Sequence, residues 1–290
     1  MLKKRVISGS VLGVLFIVTS IWLPSIWILP ILLFISALGQ REFYTMVNMS
    51  GIPAFKVLGT ICGAALISVT YFGIVHTVEG YDIYFLEQLV LLCSLIIVFV
   101  RQFPQKNNPR PLETIACTIF GVCYVPFLLN FFTRIMFEWD KISLHDKLGE
   151  TGRVLLLYVV IVVKISDISA LLTGGTIGRH KLFPRLSPSK TWEGLFGGIT
   201  GSVLASLFFY KISGGFLGKI QINFYDAFLI PLILGSVGVV GDLFESLLKR
   251  AAGAKDSGNI FPGMGGLLDV LDSLLFSVPV FYLYLKFFAG

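Results

Sequence analysis

Charge is scarce in this chain. Of its 290 residues only 14% are Asp, Glu, Lys or Arg, whereas 55% are hydrophobic, 26 of them phenylalanine. A soluble domain of this length could not hide so much apolar surface, so the composition excludes an ordinary soluble fold and points to lipid as the solvent. Cysteine is scarce too. Cys62, Cys93, Cys117 and Cys123 all fall in apolar runs without metal-ligand spacing, and read as small core residues rather than disulfides or zinc ligands. No Gly-Lys-Ser/Thr follows Gly174, Gly175 and Gly178, so that glycine cluster is not a P-loop. The basic, then apolar start MLKKRVISGSVLGVLFIVTSIWLP lacks a small-x-small cleavage site and reads as an uncleaved first span. Linkers, low-complexity tracts and clear repeats are absent as well. The sequence therefore predicts a single integral-membrane domain over 1–290, with N-terminal spans in 1–153 and motif-bearing spans and loops in 154–290.

What is there in abundance is apolar runs of membrane length. They predict an all-α polytopic protein of about nine spans: 6–23, a short 25–38, 57–75, 84–100, 113–132, 154–173, 192–210, 225–244 and 267–288. The short second span could pair with the first as a hairpin around Pro24 and Pro30. With the N-terminus in the cytoplasm, 15 of the 23 basic residues fall on the inner side, and the 76–83 loop carries none. That asymmetry follows the positive-inside rule, so the net charge of +6 reflects cytoplasmic loops and calls for no nucleic acid. Glycines four apart, Gly59 with Gly63 and Gly197 with Gly201, suit close helix packing.

The polar residues that lipid tolerates poorly gather in the second half. Lys164 and Asp167, three apart, share one face of the sixth span, as a self-neutralising pair or as part of a site. SPSKTWEG places Ser189, Lys190 and Thr191 at the start of the seventh, where free N–H groups and the helix dipole favour an anion. Taken alone, this is an ordinary basic loop with a cap. Further on, SLLKRAAGAKDSGNIFPGMGGLLDVLDS lies between the last two spans. Asp242, Glu245 and Lys249 share one helix face, with Ser246 beside them, and Asp269 and Asp272 open the final span. A solvated loop accounts for Lys255 and Asp256, but not for Asp242 and Asp269 set just inside apolar segments. Carboxylates bordered by Lys249, Arg250 and Lys255 suggest Mg2+ held beside a phosphorylated substrate. Gly258, Gly263, Gly265 and Gly266 would let backbone approach a phosphate, and Pro262 would fix a bend. The chemistry implied is phosphoryl or nucleotidyl transfer to a lipid.

This pattern resembles the signature of the phosphatidate cytidylyltransferases, or CDP-diacylglycerol synthases: Ser-x-x-Lys-Arg, four residues, Lys-Asp-x-Gly, a short apolar step, then Pro-Gly-His-Gly-Gly-x-x-Asp-Arg-x-Asp. Ser246, Lys249, Arg250, Lys255, Asp256, Gly258, Pro262, Gly263, Gly265, Gly266, Asp269 and Asp272 match it with the same spacing. SPSKTWEG is similar to the family's Ser-Pro-Lys-Lys-Thr-Trp-Glu-Gly, and Asp167 falls where the family carries an intramembrane Asp. The motifs cover residues 164–273, and the first half is similar only as a set of spans. Two positions depart: Met264 replaces the family His, and Val270 the Arg.

The resemblance implies transfer of a cytidylyl group from CTP to phosphatidic acid, with release of pyrophosphate, in phospholipid biosynthesis. Asp242 and Asp269 would bind one or two Mg2+ ions, with Asp272 as a third ligand and Asp167 in support. Lys190, Lys249, Arg250 and Lys255 would hold phosphates, helped by Thr191, Ser246, Gly265 and Gly266, and Asp256 would orient a lysine or a water. The enzyme would sit in a bacterial inner membrane with its site facing the cytoplasm, and a homodimer is compatible with this. A phosphate monoester is already charged near neutral pH, so losing the His is tolerable chemically. Losing the Arg removes a cation from the triphosphate region. A divergent working enzyme is the favoured reading, with a shifted substrate or an inactive paralogue as its alternatives. The rivals are a CTP-dependent polyprenol kinase and a transporter of an anionic metabolite. The latter would carry broken helices in both halves, and here the charged motifs cluster in one.

Overall fold

The computed structural model describes residues 24–75, 82–140, 149–254, 256–261, 263 and 265–289. The expected first span, 6–23, lies outside them, as do Lys255, Pro262 and Met264. Eight helices among the described residues are long and apolar enough to cross a membrane, and they coincide with the other eight expected spans. The protein is an all-α, polytopic integral membrane protein.

By its contacts the chain forms two units. One holds Met1–Leu148 together with Leu248–Val270, and the other holds Gly149–Leu247 together with Leu271–Gly290. The segment 248–270 thus returns to the N-terminal unit.

The first unit begins with a 3-10 turn, Ser25–Trp27, running into α1 (Ile28–Met49). Pro30 sits in the first turn of α1, where a missing N–H costs nothing, so the helix continues through it, and the expected hairpin with the first span lies outside the described residues. It also runs 11 residues beyond the expected end at 38. Polar residues in that extension are bonded: Gln40 Nε2 donates to the carbonyl of Gly59 at 2.9 Å, and Tyr44 OH to that of Thr118 at 2.8 Å. α2 (Lys56–Val75) presents Gly59 to the Tyr44 ring and Gly63 to Gln40 and Pro126, at places where any Cβ would collide. α3 (Ile83–Gln102) follows, then α4 (Pro111–Val122), which widens to a π-type turn over Cys123–Phe127 around Pro126 before continuing as α5 (Leu128–Phe137). A proline without a donor is a known cause of such a local adjustment.

Arg134, two residues beyond the expected end of its span at 132, is inside α5 and 3% exposed. It pairs with Glu87 of α3 and lies 4.4 Å from the Tyr84 ring centre. Asn130 Nδ2 donates to Thr70 Oγ1 at 2.7 Å and to Glu87 Oε1 at 2.9 Å. Charge buried in an apolar bundle persists only when paired and hydrogen-bonded in this way.

In the second unit α6 (Glu150–Ile177) packs closely on α7 (Trp192–Ser213). Gly197 and Gly201 meet Thr173 and Ser169 so tightly that a Cβ at either would overlap the hydroxyl, which is the close packing their spacing predicted. Between these helices the chain forms a hairpin, β1 (Lys181–Phe183) with β2 (Ser187–Thr191), in a stretch expected as loop. A second, minimal hairpin, β3 (Phe216–Leu217) with β4 (Ile220–Gln221), leads to α8 (Phe224–Ala251). Pro231 inside α8 leaves the carbonyl of Ala227 without its helical donor. Ser206 of α7 supplies one at 2.7 Å, and its oxygen also lies 2.6 Å from Tyr158 OH. The last helix is α9 (Leu268–Tyr284).

Candidate functional site

Two polar clusters hold most of the sequence-selected residues, one in each unit. The first is built around Asp269, in the first turn of α9. Its Oδ1 accepts from Lys249 Nζ at 2.6 Å. Its Oδ2 accepts from the backbone N–H of Ser257 at 2.9 Å, from Ser257 Oγ at 2.8 Å and from the N–H of Gly266 at 2.7 Å. Lys249 and Asp269 side chains are only 13% and 9% exposed, so this pair is shielded from water. Phe261 and Gly265 bond reciprocally through their backbones and close the turn between them. Gly263 and Gly265 have φ of 83° and 99°, which a residue with a Cβ adopts poorly.

Sequence reasoning missed one member of this cluster, Glu42 of α1, which is 7% exposed. Its Oε1 accepts from the N–H of Leu267 at 2.8 Å, and its Oε2 from the N–H of Leu268 at 2.9 Å and from Ser257 Oγ at 3.1 Å. The available signal was an acid in a largely apolar stretch. It was lost because the span was ended at 38, which put Glu42 in a loop. Three of the four glycines expected to let backbone approach a phosphate stand against these carboxylates: a Cβ at Gly265 would strike Asp269, and one at Gly258 or Gly266 would strike Glu42.

The second cluster joins Lys164 and Asp167 of α6, Lys190 of β2, Asp242 of α8 and Asp272 of α9. Lys190 Nζ lies 2.8 Å from Asp242 Oδ2 and 3.3 Å from the carbonyl of Val239. Lys164 and Asp167 form the pair their spacing predicted, at 3.1 Å. Both engage Ser273, whose Oγ is 3.1 Å from Lys164 Nζ and 2.9 Å from Asp167 Oδ2. Asp272, 8% exposed, accepts from the N–H of Ser273 at 2.6 Å and feels the charges of Asp242, Lys164 and Asp167. Gly241 lets α8 approach the carbonyl of Asp272. Thr191 caps α7, its hydroxyl accepting from the N–H of Gly194 at 3.1 Å, as the sequence predicted for this helix start.

The remaining candidates are placed differently. Ser246 is half-buried on α8, while Arg250 and Asp256 are exposed. Three carboxylates against two ammonium groups leave the second cluster formally anionic. Among the described residues no three His, Cys, Asp or Glu side chains converge closely enough to hold a metal ion by themselves. Mg2+ commonly takes one or two carboxylates and completes its shell with phosphate and water oxygens, so hard donors with a residual negative charge fit it.

A family model described as "Cytidylyltransferase family" matches residues 3–288. The chain belongs to this family. It is 26% identical over 288 residues to the phosphatidate cytidylyltransferase of Bacillus subtilis (strain 168), covering 99% of both chains. It is 30% identical over 252 residues to the phosphatidate cytidylyltransferase of Staphylococcus epidermidis (strain ATCC 12228), covering 87% of this chain and 88% of the relative. The uncharacterized protein YnbB of Escherichia coli (strain K12) is 41% identical over 254 residues, covering 87% of this cytidylyltransferase-family chain and 77% of the relative. The match extends well beyond the motif region into the N-terminal spans that the sequence resemblance had left unassigned.

Proposed function

We propose that this protein transfers the cytidylyl group of CTP to phosphatidic acid, giving CDP-diacylglycerol and pyrophosphate. The observation that carries this reading is the signature from Ser246 to Asp272 in a chain matched to the family over nearly its whole length. A phosphatidate oxygen attacks the α-phosphorus of CTP. A P–O bond forms to the lipid phosphate, the bond to the β-phosphate breaks, and pyrophosphate leaves. The phosphate monoester carries its own negative charge, so the nucleophile needs no strong base from the protein.

Lys190, Lys249, Arg250 and Lys255 would neutralise substrate phosphates, with Thr191 and Ser246 as polar neighbours and Asp256 orienting a lysine or a water. Lys190 and Lys249 are each held by a carboxylate. Those partners keep the ammonium groups oriented until a phosphate arrives, which lowers the cost of ordering them on binding. The metal-ligand roles of Asp242, Asp269 and Asp272 rest on the signature, and Asp167 would support them. Mg2+ bound there would supply polarisation of the α-phosphoryl group and charge balance for the departing pyrophosphate. The acyl chains would stay in the bilayer. The positive-inside pattern supports a cytoplasmic headgroup site, in a bacterial inner membrane.

The test is label transfer on purified protein with phosphatidic acid, Mg2+ and CTP labelled separately at the α- and γ-phosphates, with polyprenol as a second acceptor. Label from the α-position entering lipid, with pyrophosphate released, is the expected result. Label from the γ-position entering lipid would make the protein a kinase, and no transfer to either acceptor would overturn the enzymatic reading.

A further inference from the structure

We propose that Glu42 is a positioning residue for the transfer reaction: from the N-terminal unit it holds the start of α9 and, through Ser257, the carboxylate of Asp269. The inference rests on the cytidylyltransferase reading for its functional half and on geometry for the other. The first N–H groups of a helix have no intrahelical partners, and here two of them, on Leu267 and Leu268, point at the two oxygens of one carboxylate. That carboxylate comes from a residue 225 and 226 positions away in sequence, so it fixes the helix start in space as well as satisfying it. Its negative charge also opposes the positive end of the helix dipole.

Ser257 carries the connection onward. Its single hydroxyl hydrogen lies between two acceptors, Glu42 Oε2 at 3.1 Å and Asp269 Oδ2 at 2.8 Å. Its backbone N–H already bonds Asp269, so Ser257 is pinned on both sides. A methyl group at Gly258 would come within 2.6 Å of Glu42 Oε1, and one at Gly266 within 2.5 Å of Oε2. Two glycines of the signature are therefore needed for this carboxylate to enter. Ser257, next to Asp256, is thereby tied to α1, and the same hydroxyl couples Asp269 to Glu42.

Glu42→Gln and Ser257→Ala, singly and together, test this in detergent-purified full-length protein by hydrogen exchange and by steady-state kinetics. Glu42→Gln replaces one acceptor oxygen with a donor that faces an N–H. It should speed exchange at Leu267 and Leu268 by at least about tenfold while α2 and α3 keep their protection. It should lower kcat about tenfold to a hundredfold, as loss of a supporting partner commonly does, with little change in KM for CTP. The double variant should lose less kcat than the product of the single losses, because both residues act through Asp269. Unchanged exchange at Leu267 and Leu268, or exchange that rises uniformly across the chain, would overturn the proposal. So would a local exchange effect with wild-type kcat. A wild type without cytidylyl transfer would overturn the functional reading alone, and the local exchange effect would still support the anchor.

Discussion

Lys190 and Asp242 lie 2.8 Å apart, one on the strand that leads into α7 and the other well along α8. Each is only partly exposed, 18% and 39% by side chain, so the pair is neither a loose surface contact nor a sealed one. A cation held beside a carboxylate is poised to exchange it for a phosphate. Lys190→Gln should raise KM for CTP and lower kcat/KM by about 10²-fold, the size expected for a lost charge contact at the reacting group. Asp242→Asn should abolish Mg2+-dependent turnover with the protein still folded in detergent. Near-normal rates in both variants would remove the pair from the site.

Asp269 accepts four hydrogen bonds, so its replacement is expected to do more than remove a metal ligand. Asp269→Asn should abolish turnover and also remove the carboxylate charge 2.6 Å from Lys249 Nζ in a shielded position. A hydrogen bond to a charged group contributes about 1.5–3 kcal/mol, and a loss of that order should appear in denaturant or thermal unfolding. A variant with full stability would show that Lys249 finds another anion.

Ser206 and Pro231 make a separate stability prediction. The Ser206 hydroxyl serves the Ala227 carbonyl that the proline cannot reach. Ser206→Ala should cost about 1–3 kcal/mol, the penalty of an unsatisfied buried acceptor, with catalytic constants of the folded fraction unchanged. Pro231→Ala in the same background should recover part of the loss by restoring the helical donor. Failure of that recovery would mean Tyr158 is the more important partner of Ser206.

The buried ion pair of the first unit is far from the signature in sequence and belongs to the bundle's stability. Arg134→Met leaves Glu87 as a buried charge beside Asn130 and Thr70, and breaking such a pair typically costs about 3–5 kcal/mol. The double variant Glu87→Gln with Arg134→Met should be less damaged than the single one. Thermal midpoints in one detergent decide it.

Where hydropathy alone decides, the sequence was a sufficient guide. The runs 57–75, 84–100 and 192–210 became Lys56–Val75, Ile83–Gln102 and Trp192–Ser213, because apolar length is what a bilayer selects. The same criterion ended the second span at 38, because Gln40, Arg41, Glu42 and Thr45 dilute it. Two of them, Gln40 and Glu42, are satisfied inside the helix by partners far along the chain, Gly59 and the start of α9. No local window contains that information. Spacing did place Lys164 against Asp167, since that pair depends on residues three apart, and SPSKTWEG marked a helix start, where Thr191 is the cap. It could not bring Asp242 to Lys190, 52 positions away, nor Asp269 to Lys249, 20 positions away across a glycine-rich stretch.

The return of Leu248–Val270 to the N-terminal unit bears on how this family can be recombined. A crossover between 148 and 149 looks like a natural seam for making chimeras, since it separates the featureless spans from the motif-bearing ones. It would instead graft a foreign α1 under the parent's signature turn. Hybrids between relatives should therefore work only when the donor of the first half supplies an acid at position 42 and glycines remain at 258 and 266.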